Sequence, residues 1–281
     1  MTANTMYETL ASLLGLPVCA IPLSFCDVKR PYLLERAGID TNGTAMIFAI
    51  PYLVTSDVAD PDRNLSLYAT PRDYHAYVDA LREKILPRLS AAFPDHRFAM
   101  FADHSPIAEV KAAAMAGLGV LGDNGLLLTP DYGSFVFLCE VCTSADYHTA
   151  TGTHSPAHME ITRCDGCGAC RAACPVADGQ VDCLSALTQK KGELTEAEAR
   201  ALRAHGLVWG CDACQLACPH NRRVIRAGYD TAVTYFREGR IATVTAQDIS
   251  AMSDEEFSSR AFSWRGRAVI LRNLSLKEEE V

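Results

Sequence analysis

A run of four cysteines places the tightest constraint on this chain. The segment "CDGCGACRAACP", residues 164–175, spaces its cysteines as C-x2-C-x2-C-x3-C-P. Bacterial ferredoxins use this spacing to bind two iron–sulfur clusters, with three thiolates on one cube and the fourth on the other. The run therefore predicts a domain built around two [4Fe-4S] clusters.

A second run, "CDACQLACP", residues 211–219, has the same Cys-Pro ending but is one cysteine short. Cys183, in "VDCLSALT", can supply the missing thiolate if an insertion has split the motif. Ferredoxin connectivity then assigns one cluster to Cys164, Cys167, Cys170 and Cys218, and the other to Cys174, Cys183, Cys211 and Cys214.

Disulfides and structural zinc are the alternative uses of these cysteines. Disulfide scaffolds are typically small secreted domains, whereas 281 residues suffice to bury a core without such bridges. The N-terminal segment lacks the basic region of a secretory signal, so we expect reduced thiols and a cytoplasmic protein. Zinc would accept paired C-x2-C units, but it does not require a third cysteine in each run or the prolines Pro175 and Pro219.

Four further cysteines lie outside the two runs: Cys19, Cys26, Cys139 and Cys142. The segment "CEVC" has the spacing of a redox pair, but it ends an apolar strand-like run and does not begin a helix. We expect these cysteines to be buried free thiols.

Composition limits the partners of the chain. Its 26 basic and 34 acidic side chains give a net charge of −8, so the whole chain has no electrostatic footprint for nucleic acid. Basic segments at 220–240 and 189–192 are interpreted as solvated helical faces. No apolar run approaches the ~18 residues of a membrane helix.

The order of apolar patterns predicts an α+β protein of three parts. Residues 1–155 alternate strand-like runs, such as "TAMIFAIPYLV", with helical segments, such as the one in which Tyr77, Leu81, Ile85 and Leu89 recur at helical spacing, and this indicates an α/β layered domain. Residues 156–225 contain the double-cluster, ferredoxin-like domain, with the helical insertion "ELTEAEARALRAHG" inside the split motif. Residues 226–281 form a helical segment, in which Ser253 and Glu256 suggest a capping box.

The segment "GLGVLG", residues 117–122, matches the dinucleotide fingerprint G-x-G-x-x-G. That fingerprint requires a strand before it and a helix after it, and the order here is reversed. Gly119 and Gly122 are instead expected to allow a tight bend or a close backbone approach.

Asp103 and His104, in "FADHSPIAEV", follow an apolar strand and precede a helix, where α/β sheets present ligand groups. Asp103 could equally be a helix cap. Tyr74 and His75 could line a pocket or only flank the next helix.

Several segments together resemble the epoxyqueuosine reductases, which are cobalamin-dependent reductases with two [4Fe-4S] clusters. These are "YATPRDYH", "ADHSPIAEVKAAAMAGLGVLGDNGLLLTPDYGSFVFLCEV", the first cysteine run, "DCLSALT", "GCDACQLACPHN" and "RGRAVILRNLSL". The resemblance implies reduction of epoxyqueuosine to queuosine in tRNA, with a corrinoid between the α/β domain and the clusters and an external electron donor of the flavodoxin or ferredoxin type. It also implies that Cys183 is a cluster ligand.

The resemblance assigns roles to individual residues. Asp103 matches the acid that protonates the leaving epoxide oxygen while cobalamin, reduced by the nearer cluster, acts on the substrate carbon. Contacts to the cofactor or near the substrate pocket are implied for Asn124, Tyr132, Gly133, Ser134, Ser185, Tyr74 and His75.

The chain departs from the family pattern at several positions. Asp123 stands where the family usually has a basic residue, and His220 stands where an aromatic residue is expected. Soon after "LT", a lysine stands where an acidic residue is expected. The chain also resembles a short form without the family's C-terminal helical repeats. These departures weigh against tRNA more than against the clusters, because a tRNA-binding protein must neutralise several phosphates. A reductase of a different small-molecule substrate, and a ferredoxin-like electron carrier without a corrinoid, remain the alternatives.

Overall fold

The computed structural model describes residues 4–154 and 160–278. It is a mixed helix and sheet protein. Contacts within the chain divide it into two units. The first consists of the described parts of Met1–Pro51 and His75–Gly166, and the second of the described parts of Tyr52–Tyr74 and Cys167–Val281. The division expected from sequence, at 1–155, 156–225 and 226–281, stays a prediction, and its first boundary lies at the edge of residues outside the description.

The described part of the first unit contains six strands. Their bounds are β1 Val18–Pro22, β2 Thr44–Pro51, β3 Phe98–Phe101, β4 Val120–Leu121, β5 Leu127–Leu128 and β6 Val136–Thr143. β1, β2, β6 and β3 form one sheet in that order, with antiparallel pairing throughout, and β4 and β5 form a separate hairpin. β2 is almost wholly buried, as expected of a central strand with an uninterrupted apolar sequence.

Helices of the first unit surround this sheet. They are α1 Met6–Leu14, α2 Pro31–Ala37, α4 Tyr74–Ala92, which starts at the last residue of the other unit, α5 Glu109–Met115 and α6 Tyr147–Thr151. Of the four residues predicted at helical spacing, α4 buries Leu81, Ile85 and Leu89, whereas Tyr77 is half-buried. α5 contributes Ala112 and Ala113 to a core shared with the strands.

The sheet register fixes which loops share an edge. The last residue of β2, Pro51, pairs with the first residue of β6, Val136. β3 also runs antiparallel to β6, with Phe101 opposite Glu140. The loop after β3 and the loop before β6 therefore emerge at the same edge of the sheet.

The second unit is helical. Its elements are α3 Thr55–Ala59, α7 Ala169–Ala172, α8 Leu184–Thr188, α9 Glu196–Ala204, α10 Ala213–Ala217, α11 Pro219–Ala227, α12 Thr234–Arg237, α13 Ala246–Ala251, α14 Asp254–Ser258 and α15 Arg267–Glu278. The predicted helical insertion is α9. This helix begins with a capping box formed by Thr195 and Glu198. Trp209 and Phe262 lie in the main core of this unit. Across the described ranges, no helix combines the length and apolar character needed to cross a membrane.

Candidate active site and candidate cluster ligands

Each of the two cysteine runs contains a short helix at the same place, although the residues before the helices, Gly168 and Asp212, differ in φ (+74° and −108°). In the first run, α7 follows Gly168, and the N–H of Ala172 donates to the carbonyl of Gly168 at 3.0 Å. In the second run, α10 follows Asp212, and the N–H of Leu216 donates to the carbonyl of Asp212 at 2.8 Å. α7 and α10 pack against each other.

The last cysteine of each run also ends its helix in the same way. The N–H of Cys174 donates to the carbonyl three residues earlier at 3.2 Å, and the N–H of Cys218 does the same at 3.3 Å. A proline follows each cysteine. The two runs are thus structural equivalents from Cys167 and Cys211 onward, and the second lacks a counterpart of Cys164.

Cys183 lies close to the second run. It directly precedes α8, and its side chain is exposed. Burial, followed by the nearby groups of Asp212, Cys183 and Cys214, raises the pKa of the Cys211 thiol to about 11. Cys183 and Cys214 are therefore each an electrostatic neighbour of Cys211, as the split-motif hypothesis requires of Cys211.

A buried ion pair anchors the loop of the second run. The Asp212 carboxylate accepts hydrogen bonds from Arg63 Nη1 at 2.7 Å and from the N–H of Leu67 at 3.0 Å. The side chains of Arg63 and Asp212 are 8% and 2% exposed. Asp212 was not singled out from the sequence, although an acidic residue between two closely spaced cysteines was a signal that could have found it.

Gly210 brings the same loop close to a neighbouring segment. Its φ is +74°, and a Cβ built there would lie 2.0 Å from Ser66 Oγ. Its N–H donates to Thr188 Oγ1 at 2.9 Å, which ties the loop to the end of α8. The segment containing Cys211 is therefore fixed from two sides, one of them the helix that Cys183 precedes.

All twelve cysteines are free thiols, so the disulfide alternative is excluded. Cys139 and Cys142 are buried, as predicted, whereas Cys19 and Cys26 are half-buried. Within 4–154 and 160–278, no three His, Cys, Asp or Glu side chains gather around one metal position. In a [4Fe-4S] cube each protein thiolate binds a different iron, so its ligands do not converge on one point.

Asp103 lies at the sheet edge defined above, directly after β3. Its φ is +60°, which makes it the one non-glycine residue of the described ranges with a left-handed backbone. Its carboxylate is 75% exposed and lies 4.0 Å from His75 Nε2. His104 contacts Tyr32, whose hydroxyl is 2.9 Å from Nε2. The structure thus brings together Asp103 and His75, two of the residues selected from sequence.

Two glutamates lie beneath the Asp103 loop. The Glu109 carboxylate accepts a hydrogen bond from the N–H of Asp103 at 3.2 Å. Glu140, fully buried on β6, accepts one from Ser105 Oγ and contacts the Glu109 carboxyl. Burial is the main cause that raises the pKa of Glu109 to about 7 and raises that of Glu140 well above its usual range. Sequence reasoning missed both residues; an acidic residue in the middle of an apolar strand was the available signal.

The residues selected for cofactor contact fall into separate groups. Tyr132, Gly133 and Ser134 form the loop before β6, at the same sheet edge as Asp103. Asn124 lies in the β4–β5 turn, where its Oδ1 accepts the N–H of Leu126 at 3.3 Å. Gly133 has a φ of +55° and closes a tight loop with two backbone hydrogen bonds to Thr129.

Tyr74 and Ser185 belong to the second unit. Tyr74 is the first residue of α4, and Ser185 lies on α8. The carbonyl of Ser185 accepts from Gln189 Nε2 at 2.8 Å, and this same amide contacts the Tyr68 hydroxyl at 3.3 Å. Tyr68 was not selected from sequence; it is a buried tyrosine beside the segment that follows Cys183.

The segment "GLGVLG" has the structure expected from its reversed order. α5 precedes it and the β4–β5 hairpin follows it. A Cβ at Gly119 would lie 2.4 Å from the carbonyl oxygen of Leu128, and one at Gly122 would lie 2.6 Å from Asn124 Oδ1. These glycines permit close packing within the hairpin, so the dinucleotide interpretation is not supported.

The basic segments divide into paired and exposed groups. Lys190 Nζ lies 2.7 Å from Glu198, and Arg240 Nη2 lies 2.5 Å from Asp57. The side chains of Arg222, Arg223 and Arg226 are exposed on α11, directly after the second cysteine run. Three of the exposed cations in these segments therefore lie together on α11.

A small cavity occupies the first unit near the cofactor-contact loop. Its volume is about 180 Å³, and Cys19, Leu118 and Tyr132 are among the residues that line it. Pockets for small molecules usually enclose about 300–1,000 Å³. The cavity is thus too small to enclose a corrinoid.

An α/β sheet unit with a catalytic-type carboxylate at its edge, joined in one chain to paired ferredoxin-type cysteine runs, is typical of oxidoreductases of the iron–sulfur class. No family model matches the chain. Among curated proteins, the epoxyqueuosine reductase of Gloeobacter violaceus is 34% identical over 201 residues, covering 69% of this chain and 61% of that protein. That of Listeria monocytogenes is 34% identical over 220 residues, covering 72% of this chain and 53% of its own.

Solved structures share the fold. The epoxyqueuosine reductase of Streptococcus thermophilus superposes with a TM-score of 0.72 at 20% identity, covering 96% of this chain and 79% of that one. An epoxyqueuosine reductase solved with an epoxyqueuosine-modified tRNA-Tyr stem loop gives a TM-score of 0.67 at 21% identity, covering 97% and 81%. The chain belongs to the epoxyqueuosine reductase family, a family of oxidoreductases known to use iron–sulfur clusters and cobalamin. It spans between half and two thirds of the length of the two curated relatives described above.

Proposed function

We propose that this protein is a cobalamin-dependent iron–sulfur reductase that converts epoxyqueuosine to queuosine in tRNA. The observation that carries the proposal, in a chain of this family, is that Cys183 lies near enough to Cys211 to act on its thiol, because a thiolate at this place could serve as the ligand that the second run lacks. We place the protein in the cytoplasm, where free thiols persist.

The thiols fit two [4Fe-4S] clusters in number, kind and local structure. We assign Cys164, Cys167, Cys170 and Cys218 to one cluster and Cys174, Cys183, Cys211 and Cys214 to the other. The equivalent helices α7 and α10 support this exchange of the fourth ligand, since each run ends in a cysteine placed beyond its own loop. An external donor of the flavodoxin or ferredoxin type would supply the electrons.

The residues at the sheet edge fit a corrinoid by their chemistry. A corrin ring is a flat apolar macrocycle fringed with carboxamides, so its periphery needs hydroxyl, amide and backbone partners. Asn124, Tyr132, Gly133 and Ser134 offer such groups in the first unit, and Ser185 offers a hydroxyl in the second. Cobalamin, when bound, supplies strongly reducing chemistry directed at a substrate carbon.

We assign to Asp103 the donation of a proton to the epoxide oxygen that leaves. Conversion of an epoxide to an alkene takes up two electrons and two protons and releases water, so an acid must lie beside the oxygen that leaves. The Asp103 carboxyl is exposed at the sheet edge, and His75 at 4.0 Å can orient it or return a proton to it. One solved relative is described with its catalytic aspartate loop swung out of the active site, and the loop after β3 is the counterpart proposed here.

Binding of tRNA is proposed for the arginines of α11. The net charge of −8 disfavours diffuse attraction, so contact with phosphates has to be local. Arg222, Arg223 and Arg226 provide such a local patch. Substitution of all three by glutamine should weaken tRNA binding and lower its dependence on salt, without changing iron content.

Product analysis tests the proposal directly. Protein reconstituted anaerobically with iron, sulfide and cobalamin is incubated with a chemical reductant and epoxyqueuosine-containing tRNA, and the nucleosides are identified by mass spectrometry. Queuosine should form with wild-type protein and fall by about a hundredfold or more with Asp103→Asn, whereas Asp95→Asn, an exposed control in the same unit, should retain activity. Absence of queuosine from fully loaded wild-type protein would contradict the proposal.

Spectroscopy separates the alternatives. If EPR shows no cobalamin bound to the reconstituted protein, the ferredoxin-like electron carrier is favoured. If cobalamin binds but epoxyqueuosine persists, the protein is a reductase of a different substrate.

A further inference from the structure

The backbone of Asp103 is in a conformation that needs external support. A left-handed φ of +60° is unfavourable for a residue with a Cβ and persists where neighbouring groups hold it. The N–H of Asp103 donates to Glu109 Oε1 at 3.2 Å, and Glu109 lies in the first turn of α5. This hydrogen bond ties the strained residue to a helix that is packed into the core.

A second carboxyl group holds Glu109 in place. Glu140 is fully buried; its Oε1 accepts the hydroxyl of Ser105 at 2.5 Å, and the same Ser105 oxygen accepts the N–H of Ile107 at 3.1 Å. Within the described ranges, Glu140 Oε2 has no N–H or O–H partner. A proton on Oε2, donated to the adjacent Glu109 carboxylate, satisfies this buried atom.

Charge decides which glutamate keeps the proton. The positive charge of Arg30 lowers the pKa of Glu109. Arg30 Nη1 itself donates a hydrogen bond to the carbonyl of Ser105 at 2.9 Å. Two adjacent negative charges would be costly in this buried site. Glu140 is the more deeply buried of the two, so it stays protonated while Glu109 carries the charge.

We propose that Glu109 is a positioning residue for Asp103, with its carboxylate held by the proton of Glu140 and accepting the Asp103 N–H to fix the loop in its left-handed conformation. The inference rests on the proposed role of Asp103 as the proton donor. It makes the position of the loop depend on the charge of Glu109, because a hydrogen bond to a carboxylate is stronger than one to a neutral carboxyl.

The pH dependence follows from this charge. Burial raises the pKa of Glu109 to about 7, but the Asp103 N–H acts in the opposite direction by favouring the ionised carboxylate. While Glu109 stays buried, the loop is therefore held more firmly above this pH and released below it, although global unfolding, which frees Glu109 from burial, has the opposite pH dependence. Several titratable or charged groups interact electrostatically with Glu109, with Glu140 or with a neighbour of these glutamates. They are Arg30, Asp103, Cys26, Cys139 and Cys142, with Arg82 acting on Cys139.

Hydrogen–deuterium exchange at the Asp103 amide tests the inference on holoprotein. Glu109→Ala should speed exchange, corrected for intrinsic rate, by about tenfold or more, because it removes the acceptor. Glu109→Gln keeps an acceptor oxygen but cannot ionise, so protection should persist without the change near pH 7 seen in wild-type protein. Glu83→Ala, an exposed substitution on α4, should match wild type.

Kinetics supply the second readout. Glu109→Ala should lower kcat by about tenfold to a hundredfold with little change in KM for tRNA, since it displaces an acid without touching the substrate. Glu140→Gln can still donate to Glu109 and should retain most activity, whereas Glu140→Leu cannot and should behave like Glu109→Ala. Unchanged exchange in Glu109→Ala overturns the inference. If that variant does not fold, a transition near pH 7 that survives in Glu109→Gln overturns it.

The outcomes also distinguish this inference from the proposed function. Faster exchange in Glu109→Ala, with a wild-type protein inactive on tRNA, removes the proposed function and keeps the positioning role. An active wild type that Asp103→Asn inactivates, with no effect of Glu109→Ala, removes only the positioning role.

Discussion

Replacement of Asp212 by asparagine should destabilise the second unit strongly. Asparagine keeps a carbonyl oxygen for the N–H of Leu67, which now donates to the Asp212 carboxylate at 3.0 Å, but it removes the negative charge beside Arg63. The Arg63 side chain is 8% exposed, so its cation would remain buried without a counter-ion. Loss of one partner of a buried pair costs about 3–5 kcal/mol, and we expect Asp212→Asn to lie in this range.

A second substitution isolates the cause. Arg63→Met in the Asp212→Asn background removes the buried cation, so unfolding free energy should recover to within about 1–2 kcal/mol of wild type. The matched control is the exposed pair of Glu196 and Arg200, whose side chains are 71% and 65% exposed. Glu196→Gln should cost less than about 1 kcal/mol.

Urea denaturation under anaerobic conditions, followed by circular dichroism, measures these differences, and iron retention during the titration gives an independent readout of the loop. Because Asp212 lies between Cys211 and Cys214, Asp212→Asn should also release iron at lower urea concentration. A cost below about 1 kcal/mol, or no recovery on adding Arg63→Met, would refute the buried-pair argument.

Two further predictions concern pH and packing. Because the pKa of Glu109 is raised from its usual value of 4.5 to about 7, its contribution to stability is complete below pH 4.5 and is lost as pH rises through 7. The difference in unfolding free energy between Glu109→Gln and wild type should therefore shift by about 3 kcal/mol in favour of the variant between pH 5 and pH 8.5. The same difference at both pH values in denaturation experiments would contradict this. Gly210→Ala should lower the free energy of unfolding by about 3 kcal/mol, because the new Cβ would lie 2.0 Å from Ser66 Oγ and because alanine would have to adopt a positive φ. Gly192→Ala, with a φ of +80° and nothing within 4 Å, should cost only about 1 kcal/mol in the same assay, and equal costs would show that packing at Gly210 is not the cause.

Local sequence signals predicted local structure well. The spacing of Leu81, Ile85 and Leu89 predicted α4, and the uninterrupted apolar run of residues 44–51 predicted β2. The pattern of Ser253 and Glu256 marked the start of α14, where Ser253 Oγ accepts the N–H of Glu256 at 3.1 Å. In each case neighbours within a few residues determine the conformation, so the signal is contained in the sequence itself.

Pairings over long distances in sequence could not be predicted in the same way. Strand patterns did not reveal the order β1, β2, β6, β3 or that all pairings are antiparallel. The segment 52–74 joins the second unit through contacts such as the N–H of Ser66 to the carbonyl of Trp209. Periodicity along one segment contains no information about such a distant partner.

The candidate site shows the same limit. Cysteine spacing indicated the ligands, and the strand-to-helix position indicated Asp103, because both signals are local. The partners of these residues are distant: Arg63 lies 149 residues from Asp212, and Glu140 lies on a strand far from Asp103. Which acidic residue meets which cation depends on the folded chain, and only the structure supplies that information.

Iron content of the Cys183→Ser variant tests the split cluster motif most directly. After anaerobic reconstitution, wild-type protein and the Cys26→Ser control, which alters a half-buried thiol outside both runs, should each hold about eight irons per chain. Cys183→Ser should hold about four, with EPR still showing one reduced [4Fe-4S] cluster. Retention of about eight irons in Cys183→Ser would contradict the account.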